Sequence, residues 1–320
     1  MNVKGFLFFA GIVCLSCIGF VGCNRAKEIR ANEKNRKYSS GIYNIAMDNK
    51  ERIVLSVLSG FVARIDDLNG KNKTSFGKYG TGIGNFRSAY GLDIDSKGRL
   101  YIIDQKNSKL IRLDDLKQNG WNEISFSSGR DATYGLRGIC IDSDDNIYIT
   151  DEIRHRIIMI RNYDSNTIET FGAYGDGKNQ MISPTAIAID SKNRIYVTDA
   201  GNNRIIRFDN IKGDNWIAYG KKGSGIGEFD SPHGLTIDRN DNILITDTMN
   251  GRIVSISNMK GESWVEYRPK SKANENIIFM VGIVVDSKNR IIFVDQTNTR
   301  ICRINNIYGD GFNLYEFSDY

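Results

Sequence analysis

Six aspartates recur along this chain at an almost constant interval. Asp48, Asp95, Asp142, Asp190, Asp238 and Asp286 are separated by 47, 47, 48, 48 and 48 residues. Each closes a short apolar run and opens a tight turn into a second one. A fixed period of roughly 40–50 residues, with several short strands per unit, is typical of a β-propeller. Because six units span residues 39–320, the sequence predicts an all-β, six-bladed β-propeller with four strands per blade.

The fourth unit shows the pattern of one blade. Its β-branched and aromatic runs predict strand a at 185–190, strand b at 194–199, strand c at 204–208 and strand d at 216–219. Such runs, bounded by Gly, Asn and Asp, are typical of short antiparallel strands. We expect the third residue after each first aspartate to adopt a positive φ, which suits Gly and Asn.

Five units carry a second acid nine residues after the first: Asp104, Asp151, Asp199, Asp247 and Asp295. A base follows five residues later, at Lys109, Arg156, Arg204, Arg252 and Arg300. We expect acid and base to pair across the b–c hairpin. The first unit lacks this element. Because each unit supplies strands a to d of one blade, ring closure is predicted to depend on apolar packing of blade one against blade six and not on a shared sheet. The final strand is placed at 313–317.

Two further motifs are characteristic. Residues 231–253 read Ser-Pro-His-Gly-Leu-Thr-Ile-Asp-Arg-Asn-Asp-Asn-Ile-Leu-Ile-Thr-Asp-Thr-Met-Asn-Gly-Arg-Ile, and the Gly-rich connectors at 76–86 and 219–229 are near-copies of each other. Both resemble NHL repeats. The resemblance covers 39–320 and implies a six-bladed propeller, but it does not select an activity, because NHL-type propellers include protein-binding scaffolds, RNA-binding domains and enzymes.

The net charge of +5 belongs to the N-terminal segment. Residues 1–38 hold seven basic and two acidic residues, which leaves 36 of each in 39–320. Since non-specific nucleic-acid binding depends on basic side chains that neutralise phosphates, we expect no nucleic-acid partner. The basic stretch within 24–38 is interpreted as a solvated linker.

Residues 1–23 have the pattern of an export signal. Lys4 precedes an uncharged apolar stretch from Gly5 to Gly22, and Phe20-Val21-Gly22 leads to Cys23. This resembles a bacterial lipoprotein signal, in which Cys23 would be lipidated. An uncleaved transmembrane anchor and ordinary secretion stay open as alternatives. All three predict an exported protein, on the periplasmic face of a membrane or at the cell surface.

Two cysteines remain in the predicted propeller, Cys140 and Cys302. They fall in blades three and six, which are opposite each other in a six-membered ring. Because a disulfide needs Cα atoms within about 7 Å, we expect two buried free thiols.

Chemically varied residues occupy two repeated positions at the predicted mouth of the central channel. The position five before each first aspartate carries Tyr43, Tyr90, Arg137, Thr185, His233 and Val281. The position after each second acid carries Gln105, Glu152, Ala200, Thr248 and Gln296. Tyrosine and arginine are common anchors of binding surfaces. The sequence therefore favours a recognition face, although a solvated rim without ligand stays open.

Asp93 interrupts a column of small or apolar residues on the innermost strands. A carboxylate there needs a partner, which is either a cation in the channel or a neighbouring Tyr, Lys or Arg. His233 is the other weak metal candidate, and His155 on a b–c hairpin is a weaker one. We expect no cofactor, with a single divalent cation such as calcium as the alternative. Two histidines cannot complete a three-histidine zinc site, and calcium usually takes six to eight oxygen ligands.

These observations favour a monomeric, membrane-anchored, extracytoplasmic scaffold that binds a protein or peptide through its channel-mouth face. The alternative is a metal-dependent hydrolase or lyase that acts at the mouth of the channel with His233, Arg137 and Asp93. The sequence favours the non-enzymatic interpretation.

Overall fold

The computed structural model describes residues 41–129, 132–165, 167–269 and 279–318. They form the predicted all-β propeller of six four-stranded blades, so the predicted fold class is confirmed. The predictions made for the signal at 1–23, for Cys23 and for the linker at 24–38 lie outside these residues. No helix within the described ranges is long and apolar enough to span a bilayer.

Each blade is an antiparallel sheet in the order a-b-c-d. The a strands are Ile42–Met47, Ala89–Ile94, Leu136–Ile141, Pro184–Ile189, Pro232–Ile237 and Met280–Val285. The b strands are Ile53–Val57, Leu100–Asp104, Ile147–Asp151, Ile195–Asp199, Ile243–Asp247 and Ile291–Asp295. The c strands are Phe61–Ile65, Lys109–Leu113, Arg156–Arg161, Arg204–Phe208, Arg252–Ile256 and Arg300–Ile304. The d strands are Thr74–Phe76, Asn122–Ser125, Thr167–Phe171, Ile217–Tyr219, Val265–Tyr267 and Asn313–Glu316.

Short elements decorate the connections. In the described part of the chain, 3-10 helices are Gln105–Asn107, Tyr163–Ser165, Ala200–Asn202 and Thr248–Asn250. Two connectors between blades each contain a short parallel pair: Ala173–Tyr174 with Gln180–Met181, and Lys221–Lys222 with Glu228–Phe229.

The antiparallel order divides the connections between two faces of the ring. The b–c loops and the d–a connectors between blades lie on the face where the a strands begin, which we call the channel-mouth face. The a–b turns and c–d connections lie on the opposite face. The a strands are innermost and line the central channel. The core lies between blades, since each apolar cluster combines side chains from neighbouring blades.

The first aspartate of each repeat builds the a–b turn. In blade two, Asp95 Oδ1 accepts hydrogen bonds from the amides of Lys97 and Arg99 at 3.0 and 2.9 Å. Its Oδ2 accepts from Arg99 Nε at 2.6 Å and from the Tyr101 hydroxyl at 3.1 Å. The residue three after the aspartate has a φ between 57° and 79° in all six blades, as predicted.

The predicted acid–base pairs across the b–c hairpin are present in blades three, four and five. There the arginine Nε lies 3.1, 2.7 and 2.8 Å from the second acid. The prediction is wrong in blade two, where Lys109 pairs with Glu123 at 2.6 Å. Asp104 instead accepts hydrogen bonds from the amides of Arg87 and Ser88 and from Asn107.

Ring closure follows the predicted mode. Blades one and six form separate sheets, and one apolar cluster joins Ile42, Leu55 and Ile65 to Val294 and Ile301 across the seam. The rings of Phe61 and Phe317 stack with centroids 6.4 Å apart. Cys140 and Cys302 are buried and free, as predicted for these two residues.

Candidate functional site

Arg137 is the centre of a cluster at the mouth of the channel. It is the second residue of strand a of blade three, and its Nη1 donates a hydrogen bond of 2.6 Å to the Tyr43 hydroxyl in blade one. Its Nε forms an ion pair with Glu152 on the b–c loop of the same blade. The guanidinium also lies 5.6 Å from the Tyr90 ring centroid in blade two. Residues from three blades therefore meet at one guanidinium.

The cluster is aromatic on one side and polar on the other. The Tyr43 and Tyr90 rings lie 4.2 Å apart at a tilt of 49°. Gln105 Nε2 reaches Glu152 Oε1 at 3.4 Å. Burial alone would lower the pKa of Arg137, but Tyr43, Glu152 and Tyr90 outweigh it and raise that pKa above its usual value. The guanidinium is therefore charged at every relevant pH.

His233 lies in the same ring of mouth residues. Its Nδ1 is 3.0 Å from the Ser231 carbonyl oxygen, and its ring lies 5.6 Å from Phe279. Burial, together with the positive charge of Arg137, lowers the pKa of His233 to about 4. The imidazole is therefore neutral near pH 7, and in that state the Nδ1–H group donates a hydrogen bond to the Ser231 carbonyl oxygen.

Thr185 and Gln296 lie apart from this cluster. Thr185 borders the channel, but its hydroxyl is buried between blades, 2.8 Å from the Thr198 hydroxyl and 3.2 Å from the Pro232 carbonyl. Gln296 lies beside Gly41, where the described chain enters blade one. Of the sequence-predicted site residues, the structure brings together Tyr43, Tyr90, Arg137, Glu152 and Gln105, and places His233 nearby.

Strand b holds the mouth residues in place through hydroxyls that the sequence reasoning did not single out. Ser56, Thr150, Thr198 and Thr246 occupy one repeated position. Each donates to a carbonyl of the next blade's mouth residue: Tyr90, Thr185, His233 and Val281. Each also accepts an amide from its own strand a. The sequence does contain a pattern that indicates this role, because a small hydroxyl residue recurs at the same position of a mainly apolar strand b.

The central channel, including its mouth, has a volume of about 360 Å³ and is lined by residues of the a strands. Asn44 also lines it, in a column that otherwise holds Gly or Ala, and this residue was missed by the sequence reasoning. Asp93 is the acidic residue of the wall. Its oxygens accept hydrogen bonds from the amides of Ile94 at 2.8 Å and Ile141 at 2.9 Å.

Asp93 therefore has backbone partners, and the predicted pairing with a Tyr, Lys or Arg side chain is wrong. Burial raises its pKa to about 7, against the opposing effect of the two amides. Burial, reinforced by Asp93, also raises the pKa of the neighbouring Cys140 thiol.

A metal centre does not fit this donor set. Among the residues that the structure describes, no three His, Cys, Asp or Glu side chains lie close enough to hold one ion. Asp93 already accepts one amide on each oxygen. His155 lies elsewhere, on the b–c loop of blade three, where its Nδ1 accepts the Ser183 amide at 3.0 Å. We derive no metal-dependent step from these residues.

Solved structures share this architecture. A virginiamycin B lyase from Staphylococcus aureus, in a catalytically inactive form with quinupristin, is 20% identical with a TM-score of 0.60; the match covers 87% of this chain and 85% of that one. A gluconolactonase from Xanthomonas campestris is 13% identical, with a TM-score of 0.60 and coverage of 80% and 83%. A chain of a nidogen/laminin complex is 15% identical, with a TM-score of 0.59 and coverage of 76% and 84%. At these identities the likeness shows the fold alone.

At the sequence level, no curated protein matches the chain. The pattern of the NHL repeat matches residues 182–208 and 229–254, which are the a–b–c portions of blades four and five. With the fold, this identifies the chain as a six-bladed β-propeller that carries NHL repeats in blades four and five.

Proposed function

We propose that this propeller is a binding module that recognises a protein or peptide segment at its channel-mouth face. The observation that carries the proposal is the cluster of Arg137, Tyr43 and Tyr90. Binding energy in protein interfaces concentrates in Trp, Tyr and Arg that sit in well-packed positions. Here one arginine and two tyrosines are held by side chains from three blades, so little side-chain entropy would be lost on binding.

The electrostatics of the cluster favour a mixed polar and aromatic ligand over a simple anion. Glu152 already pairs with Arg137, and the carboxylate would compete with an incoming one. A backbone carbonyl or an amide side chain does not meet this competition, because the guanidinium has five N–H donors. An extended peptide offers such groups, together with apolar side chains for the channel walls.

A hydrolase or lyase is not proposed. The fold likeness to lyase and lactonase structures shows the architecture alone, and the donor set described above does not fit a divalent ion. His233 commits one ring nitrogen to a backbone carbonyl and carries no charge near pH 7.

The test uses the full-length chain in detergent and a displayed library of random peptides. Enriched peptides should bind Arg137→Ala and Tyr90→Ala variants at least about tenfold more weakly, the loss expected of interface anchors. Tyr308→Ala is the matched control, because Tyr308 is 74% exposed on a c–d connection of the opposite face. Circular dichroism would verify that each variant is folded. Peptides that bind a variant with both Arg137→Ala and Tyr90→Ala as well as they bind the parent would place recognition elsewhere.

We also propose that the chain is exported and attached to a membrane through a lipid on Cys23, which the signal-like pattern at 1–23 supports. Incorporation of labelled palmitate into the expressed protein tests this. Cys23→Ser should abolish labelling and Cys17→Ser should retain it. Equal labelling of the two variants would contradict attachment at Cys23.

A further inference from the structure

Exposed apolar side chains are concentrated on one face of the propeller. Among the described residues, nine large hydrophobic side chains are exposed. Five lie on d–a connectors: Tyr79, Ile83, Tyr134, Tyr174 and Ile226. Two more, Ile153 and Met249, lie on b–c loops. Seven of the nine exposed hydrophobic side chains therefore lie on the channel-mouth face.

The two most exposed members occupy equivalent loop tips. Ile83 and Ile226 follow the third glycine of near-identical Gly-rich connectors, and they are 79% and 78% exposed. Each connector is braced at its base by a buried phenylalanine, Phe86 or Phe229. An isoleucine that projects from a braced glycine turn makes no contribution to the core, and it is costly to expose to water.

The two faces also differ in charge, although residues 39–320 are neutral as a whole. Among the described residues, the loops of the channel-mouth face carry eight basic side chains: Lys78, Arg87, Lys106, Arg154, Lys178, Lys221, Lys222 and Arg268. They carry four acidic ones: Glu152, Asp176, Glu228 and Asp230. The turns and connections of the opposite face carry 14 basic and 19 acidic residues. The described loops are therefore polarised, at about +4 on one face and −5 on the other.

The described chain also enters on the positive face. Gly41 directly precedes strand a of blade one, and its carbonyl accepts the amide of Leu58 on a b–c loop at 3.2 Å. The segment between Cys23 and Gly41 spans at most about 60 Å when extended, since each residue adds roughly 3.3–3.6 Å. That reach is sufficient to hold this face against a surface to which the N-terminal segment is attached.

We infer that the channel-mouth face rests on an anionic lipid bilayer, with Ile83 and Ile226 inserted at the level of the headgroups. The exposed side chains lie on different blades, so they form separate points around a rim. Separate apolar tips beside basic side chains suit a fluid bilayer, which requires no contiguous complementary patch. Neighbouring Lys78, Lys221 and Lys222 supply attraction to anionic headgroups.

This inference goes beyond the proposed function and constrains it. A propeller docked in this way opens its channel toward the bilayer, so the segment that it binds would be one held at a membrane surface.

The test labels single cysteines with an environment-sensitive fluorophore in the full-length chain. Cys14, Cys17 and Cys23 are replaced by Ser, and Ile83→Cys, Ile226→Cys or Tyr308→Cys is added. The buried Cys140 and Cys302 stay in place, and a chain without an added cysteine measures their background labelling. Each protein is inserted through its apolar segment at 5–22 into vesicles of phosphatidylglycerol and phosphatidylcholine, or of phosphatidylcholine alone.

In the anionic vesicles, nitroxide-labelled lipid should quench the labels at 83 and 226 at least threefold more than the label at 308. Iodide in the water should quench only the label at 308. Lys221→Glu combined with Lys222→Glu, or 0.5 M salt, should reduce lipid quenching at 226. Equal iodide quenching at all three positions would overturn the inference. So would labels that become protected only when a peptide selected for channel-mouth binding is added, since that result indicates a protein contact.

The two proposals fail separately. If the labels at 83 and 226 made no lipid contact, Arg137→Ala should still weaken peptide binding. If Arg137→Ala had no effect on peptide binding, lipid should still quench the labels at 83 and 226.

Discussion

Arg137 and Tyr43 are 94 residues apart in sequence, yet Arg137 Nη1 donates a hydrogen bond of 2.6 Å to the Tyr43 hydroxyl across the channel mouth. The bond links blade three to blade one, which are separated in the ring by blade two. With Glu152 on its other side, Arg137 is held from two directions. The mouth is therefore a constrained surface and not a set of independent rim side chains.

The pair of Arg137 and Glu152 should be thermodynamically coupled. Arg137→Ala leaves a partly buried carboxylate without its cation, so we expect the free energy of unfolding to fall by about 1–3 kcal/mol. Glu152→Gln in the same chain should restore part of that loss. A double-mutant cycle by urea denaturation measures the coupling. Strictly additive effects would show that the ion pair contributes nothing to stability.

Thr198 should stabilise the contact between blades four and five. Its hydroxyl accepts the Ala186 amide at 2.7 Å and donates to the His233 carbonyl at 3.1 Å. Thr198→Val keeps the shape but leaves the buried Ala186 amide without its acceptor and leaves the His233 carbonyl to the Thr185 hydroxyl alone, at a cost of about 1–3 kcal/mol. Thr198→Ser retains the hydroxyl and is the matched control. If both variants melt at the same temperature, the hydroxyl is not what stabilises this contact.

Asp93 should make stability fall as pH rises. Its folded pKa of about 7 lies above the ordinary 3.8, so the folded chain holds a proton that the unfolded chain releases. The stabilisation is complete below pH 4 and is lost between pH 4 and 7, by at most about 4 kcal/mol before screening by channel water. Asp93→Asn should remove this slope in urea titrations at pH 4, 5.5, 7 and 8. A variant that keeps the full slope would assign it to other groups.

His233 should act in the opposite direction. Its folded pKa of about 4 lies below the ordinary 6.5, so unfolding takes up a proton. Stability contributed by the neutral imidazole is complete above pH 6.5 and is lost as pH falls toward 4, by up to about 3 kcal/mol. In a His233→Gln chain, stability should fall less steeply toward acid pH. Proton NMR of the imidazole measures the pKa directly, and a value near 6.5 would contradict the prediction.

Arg252 should be among the most sensitive positions in the chain. It is 1% exposed, and its guanidinium contacts Asp247 at 2.8 Å and the carbonyls of Ser224 and Glu228 at 2.7 and 2.8 Å. Arg252→Ala removes the partner of a buried carboxylate and should cost about 3–5 kcal/mol.

Lys109→Ala at the equivalent position of blade two is the matched control for Arg252. Lys109 pairs with the partly exposed Glu123, so its loss should cost under about 1 kcal/mol. Thermal melting of both variants tests the contrast. Similar losses would show that position in the repeat matters more than burial.

Local rules were sufficient to predict the blades. The turn at Asp95 depends on residues within six positions, and its hydrogen bonds follow from the spacing of one acid and the amides that follow it. The period then determines the number of blades, because each unit buries its faces only against its neighbours.

Contacts across the ring were not predictable in the same way. The column position of Arg137 indicated the mouth, but its bond to Tyr43 depends on how wide the channel is. Thr185 occupies the same column, yet its hydroxyl turns toward Thr198 and the next blade, because a buried hydroxyl must find a partner. Asp93 satisfied the same requirement with backbone amides, which carry no sequence signal.

The seam between blades one and six has a consequence for the architecture of the gene. Each sheet is made from one uninterrupted stretch of chain, and no backbone ladder within the described residues crosses from one blade to the next. Circular permutation at any d–a connector would therefore divide no four-stranded blade. A chain whose ends were moved from the seam to the connector at 220–231 would contain the same six blades in the same cyclic order, so the ring does not determine which blade the gene must encode first.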